Sequence, residues 1–173
     1  MKLSWEIFQE QLNLHLKSFF EVSKFIVPQM KSNKRGKIIS ILTSYVVGKP
    51  PNLLADYVVA KHALLGMMKC MANELGPSGI CVNSISPSMV DTPLTESLPK
   101  KLKEIYQSQV PLEKRLAKPI DVANIVQFLC SKNANYITGE NILVSGGSTM
   151  PVSYTHLRAH ETDSYLVCRL LLE

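Results

Sequence analysis

Residues 36–87 read GKIISILTSYVVGKPPNLLADYVVAKHALLGMMKCMANELGPSGICVNSISP. Lys37–Leu42 is a short β-rich run, predicted as a buried strand. Gly48, Pro50, Pro51 and Asn52 mark a loop. Tyr57–Leu75 has the length and composition of a helix that stops at Gly76-Pro77. Ile80–Ile85 is a second strand. Two strands joined through a helix imply parallel pairing, with the helix on a sheet face.

The pattern continues on both sides. Phe8, Leu12, Leu16, Phe19, Val22, Phe25 and Ile26 recur at helical steps, so Ser4 to about Met30 is predicted helical, with Ser4 able to cap its start. The polar residues Lys31–Gly36 form a turn. After Pro87 a loop is expected, then a polar-faced helix over Leu98–Gln109. Ile120–Ser131 is a further helix, with Pro119 in its first turn and Asp121 favourable to the dipole. Asn141–Ser145 is a third strand, closed by Gly146-Gly147. The fold class is α/β, a partial doubly wound parallel sheet of about three strands with flanking helices. Three buried parallel strands are expected to belong to a larger sheet.

Bulk properties narrow the function classes. The chain has 173 residues, 46% of them apolar, and a mean hydropathy of +0.06, as expected of a globular domain. The formal charge is +5, and Lys34-Arg35, Lys100-Lys101 and Lys114-Arg115 lie far apart. A nucleic-acid surface needs a clustered stripe, so none is expected. No apolar run is long enough to span a bilayer, and Glu6, Gln9 and Glu10 interrupt any signal-peptide core. Cys70, Cys81, Cys130 and Cys168 form no CxxC pair, and neither His15 nor His62 stands at ligand spacing from a cysteine; no metal site is expected. Cysteines without a secretion signal suggest reduced thiols and a cytoplasmic location.

Ser44, Tyr57 and Lys61 are the candidate catalytic residues. Tyr57 and Lys61 are four apart and share a helix face. Ser44 ends the first visible strand, and ligands of open α/β sheets bind at such strand ends. Hydride transfer to a carbonyl creates an alkoxide that needs a proton. A phenol with a pKa of about 10 handles that proton poorly near neutrality, whereas a nearby ammonium lowers its pKa. Lys61 is expected to do this, and Ser44 to stabilise the developing charge on oxygen. Taken alone, a tyrosine and lysine four apart are usually surface decoration.

The wider pattern changes that balance. GKIISILTS (36–44), YVVAKHALLGMMKCMANEL (57–75), GICVNSISPSMVDT (79–92) and YITGENILVSGG (136–147) stand in the order and spacing of the short-chain dehydrogenases/reductases. The chain resembles that family over Ser4 to about Met150. The resemblance implies a Rossmann-like fold, NAD or NADP as cofactor, an alcohol or ketone as small-molecule substrate, and a homo-oligomer, a dimer or tetramer at full length. It makes Ser44, Tyr57 and Lys61 the catalytic set, with Tyr57 and Lys61 also contacting the cofactor and Lys61 holding the nicotinamide ribose. The loop Pro87-Ser-Met-Val-Asp-Thr92 would meet the carboxamide, through the Val90 backbone and the Thr92 hydroxyl. Ser88 stands where the family usually has glycine. His15 aligns with an asparagine that organises a proton relay in relatives, with Asn13 close enough for a bulge to confuse the two. An interior histidine packed on a helix face is an equal reading of His15.

No glycine precedes the first strand in the pattern Thr-Gly-x-x-x-Gly-x-Gly, which in the family cradles the cofactor pyrophosphate. The residue that selects NAD or NADP is missing with it. Residues 1–150 are therefore expected to be the C-terminal part of the domain, inactive as they stand. The alternative is a non-catalytic protein that acts as an assembly partner. Residues 151–173 are expected to be a tail outside the fold. Within it, VSYTHLRAHETDSYLVCRLLLE (152–173) resembles a translated sequencing adapter, with a short barcode over Asp163 and Ser164. A natural amphipathic extension is its rival reading. Pocket residues are expected from 46–54 and 88–109, and fatty-acyl ketones, sugars and steroid-like substrates all fit that much.

Overall fold

The computed structural model describes residues 3–151; the adapter-like reading of Val152–Glu173 lies outside them. Strands β1 (Gly36–Ile41), β2 (Ile80–Pro87) and β3 (Asn141–Val144) form one parallel sheet in the order β1-β2-β3. Gly36 pairs with Ile80 and Ile41 with Ile85; Ser84 pairs with Asn141 and Pro87 with Val144.

Helices cover both faces. On one side run α1 (Trp5–Leu12), a π-helical turn (Asn13–Lys17), α2 (Ser18–Ser32) and α3 (Ala55–Leu75). Leu64, Met68, Ala72 and Leu75 of α3 pack with Ile38, Ile80 and Val82 of the sheet, joined by Leu16, Phe19, Val27 and Met30. On the other side α6 (Pro119–Cys130) packs Val122, Ile125, Val126 and Leu129 around Ile85, Ile142 and Val144. Between β2 and α6 lie two short helices, α4 (Pro93–Glu96) and α5 (Lys100–Ser108).

The sheet is buried unevenly. Every residue of β2 is buried, as a strand covered on both faces and paired on both edges must be. Strand β1 pairs only with β2 among the described residues, and Ile41 is 43% exposed. The expectation of a fully buried first strand therefore holds for its inward residues, Ile38 and Ser40.

The first predicted helix is broken in register. A π-turn carries about one extra residue per turn and shifts the faces on either side of it. Helix α2 then passes through Pro28 and runs to Ser32, beyond the expected end at Met30. The stretch expected as loop after Pro87 contains α4, which Pro93 opens from its first position. Two glycines secure the ends of β2 and β3. Gly79 has φ +71, and a Cβ there would lie 2.5 Å from the Lys34 carbonyl oxygen; Gly146 has φ +57, and a Cβ would meet Val110 at 2.7 Å.

Candidate active site

Ser44 lies just past the end of β1, as the first residue of a 3₁₀ turn, Ser44–Val46. It is buried, and its carbonyl oxygen accepts from the Val47 and Gly48 N–H groups at 3.1 and 2.9 Å. The turn thus holds the serine at the C-terminal edge of the sheet. Ser44 also lines a cleft of about 710 Å³, walled by Val47–Asn52, Met89, Leu102, Ile105 and Ser148–Met150. The two segments expected to line a pocket therefore do so, joined by residues after β3 that the sequence reading did not include.

Tyr57 and Lys61 stand one turn apart on α3. Lys61 Nζ is 5.6 Å from the Tyr57 ring centroid and donates to the Ile41 carbonyl oxygen at 2.9 Å. The lysine is buried, and that burial holds its ammonium below its ordinary pKa. An ammonium has three N–H donors, and the one known bond uses one of them. The other two have no acceptor among the described residues. No hydrogen bond joins Ser44 to Tyr57 among the described residues, and they stand on separate elements, the 3₁₀ turn and α3.

One electrostatic expectation is not met. Burial pushes the Tyr57 phenol above its ordinary pKa, and the Thr43 hydroxyl only partly opposes that shift. Lys61 Nζ lies over the ring, 5.6 Å from its centroid, and desolvation of the phenol dominates.

The π-turn brings His15 into this group. Its ring meets the Tyr57 ring edge-on, with centroids 5.5 Å apart and planes at 76°. Burial, and then the Lys61 charge, hold the imidazole below its usual pKa. His15 is therefore the residue that the turn sets against Tyr57 and near Lys61. Asn13 instead lies exposed, and the Gln9 amide donates to its side chain at 3.3 Å.

The loop from Pro87 to Thr92 is pinned on both sides. Ser88 N–H donates to the Val144 carbonyl, Asp91 N–H to that of Ala117, and Ala117 N–H to that of Met89. Val90 pairs in a parallel bridge with Ala117, and its carbonyl accepts from the Thr95 hydroxyl at 2.9 Å. Its N–H has no partner among the described residues. Thr92 is the N-cap residue of α4, with its hydroxyl 3.5 Å from the Val90 carbonyl. Ser88 is not among the residues with positive φ, so serine is free of backbone strain at this position.

Comparison with known proteins gives the family and the fold. A family model described as enoyl-(acyl carrier protein) reductase matches residues 1–149. The 3-oxoacyl-(acyl-carrier-protein) reductase of Thermotoga maritima is 34% identical over 148 residues, covering 85% of this chain and 59% of the relative. Human dehydrogenase/reductase SDR family member 4 is 36% identical over 149 residues, covering 86% and 53%. A 4-hydroxyisoleucine dehydrogenase mutant, solved with NADH and succinate, superposes with a TM-score of 0.77 at 35% identity, covering 86% of this chain and 61% of that one. The chain thus spans somewhat more than half the length of the relatives it matches.

Proposed function

The chain belongs to the short-chain dehydrogenase/reductase family, and we propose that it carries the proton-handling half of an NAD(P)-dependent alcohol–ketone interconversion. The observation that carries this reading is the grouping of Tyr57, Lys61 and His15 beside the strand end that holds Ser44. When bound, the nicotinamide supplies or accepts the hydride.

In the reducing direction, Ser44 donates a hydrogen bond to the substrate carbonyl oxygen and steadies its growing negative charge. Tyr57 gives its phenolic proton to that oxygen, which leaves as the alcohol hydroxyl. The phenolate left behind is stabilised by the Lys61 ammonium and reprotonated from solvent, with His15 in position to pass the proton inward. In the oxidising direction the same groups work in reverse. Lys61 would hold the ribose hydroxyls, and the Val90 N–H and the Thr92 hydroxyl, at the strand end set by Pro87, would receive the carboxamide. NAD and NADP both fit these residues, because none of them reaches the adenosine end.

Self-association belongs to the same proposal. Trp5 is 66% exposed, Val22 60% and Phe25 86%, so α1 and α2 present an apolar surface suited to a second copy. That surface also favours the second reading, in which the chain serves as an assembly partner.

A chimera tests the activity. Residues 1–149 would replace the matching part of the Thermotoga maritima reductase, which retains its own nucleotide-binding portion. Ketone-dependent oxidation of NADH or NADPH is the expected result. A folded, dinucleotide-binding chimera that reduces no member of a panel of acyl, sugar and steroid ketones contradicts the proposal.

A further inference from the structure

Helix α5 lies along the cleft at Ser44 with little to hold it there. None of its nine residues is buried. Leu102 and Ile105 line the cleft yet remain 37% and 46% exposed. A helix this short is marginal without tertiary support. Its C-terminal end is fastened by buried Val110 and by the Leu112 N–H, which donates to the Gly146 carbonyl. Along the helix itself, the Ser108 side chain bonds to Ile105 within α5 and the Lys103 side chain to the Glu96 carbonyl at the end of α4, both inside the 93–108 segment. One side-chain bond leaves the segment: the hydroxyls of Tyr106 and Tyr45 lie 2.9 Å apart.

Tyr45 directly follows Ser44 on the 3₁₀ turn, and its N–H donates to the Thr43 hydroxyl oxygen. Both tyrosines line the cleft. We propose that Tyr45 and Tyr106 form a latch that positions α5 as a lid over the cleft at Ser44. The proposal rests on reading that cleft as the substrate site. Closing the latch sets the apolar side chains of Leu102 and Ile105 on the cleft that Pro50 and Pro51 also line. A substrate with an apolar body would remove these surfaces from water, so its binding and latch closure favour each other. The phenol pair is half-buried, and burial followed by the Tyr106 hydroxyl pushes the Tyr45 phenol well above its ordinary pKa, so it stays protonated through the neutral range.

Tyr45→Phe and Tyr106→Phe keep the rings and remove one hydroxyl each. Hydrogen exchange of the full chain then reads the latch without cofactor or turnover, so its failure is separable from failure of the oxidoreductase reading. Residues 100–108 are expected to exchange roughly fivefold faster in either variant, with no further gain in the double variant. The β2 peptide should be unchanged. Turnover of the chimera supplies the second readout: Tyr106→Phe should raise KM more than it lowers kcat. Unprotected α5 amides in the parent chain would overturn the latch. So would unchanged exchange in either single variant, additive effects in the double, or a fall in kcat without a rise in KM.

Discussion

Burial at Tyr57, Lys61 and His15 works against charge on all three, and the consequence is testable at His15. Its imidazole titrates below the usual value because burial and the Lys61 ammonium both disfavour a second positive charge. Between that lowered value and about 6.5 the unfolded chain binds more protons than the folded one, so stability falls as pH falls through this window. Thermal melts from pH 7.5 to 5 should show the slope, and His15→Gln should flatten it; an unchanged slope would place the titrating group elsewhere. At this scale Ser44, Tyr57 and Lys61 were legible in the sequence, because a strand end and a four-residue helical step place them. The direction of the Tyr57 shift was not. It depends on whether Lys61 faces the hydroxyl or the ring, which spacing does not settle. His15 was ambiguous with Asn13 for a related reason: only the π-turn decides which of the two reaches the tyrosine.

Elements near the site are set by backbone geometry as much as by side chains. Gly146 closes β3 with a left-handed φ of +57, and a Cβ at that position would lie 2.7 Å from Val110, the buried residue that fastens the end of α5. Gly146→Ala should therefore cost about 1–3 kcal/mol in chemical denaturation and loosen the lid together with the strand end. A loss below a few tenths of a kcal/mol would show that the segment yields without cost. The helices and strands themselves were legible from periodicity and from Gly-Pro stops, with ends displaced by one or two residues. Helix α4 was missed because the four residues from Pro93 to Glu96 are too few to carry a periodic signal. The Tyr45–Tyr106 bond was not legible at all: the two residues stand 61 positions apart, and nothing local announces a contact of that range.

At the scale of the whole molecule, the three-strand sheet positions Ser44, Tyr57 and Lys61, and the described residues contain no glycine-rich turn to receive a pyrophosphate. The 173-residue chain by itself should thus fail to hold NADH or NADPH at micromolar concentration in fluorescence titration, whereas the chimera should bind one of them. Micromolar binding by the chain alone would mean that the loop at Val90 and Lys61 suffices, and would remove the need for a pyrophosphate cradle. The most direct test of the central claim is the turnover of Tyr57→Phe in the chimera, measured beside its dinucleotide affinity. Loss of the hydroxyl should lower kcat by about 10²- to 10⁴-fold with dinucleotide binding retained, as expected if Tyr57 is the group that gives and takes the proton. Turnover within a few-fold of the parent, at equal affinity, would contradict the assignment of Tyr57 and with it the chemistry proposed for this site.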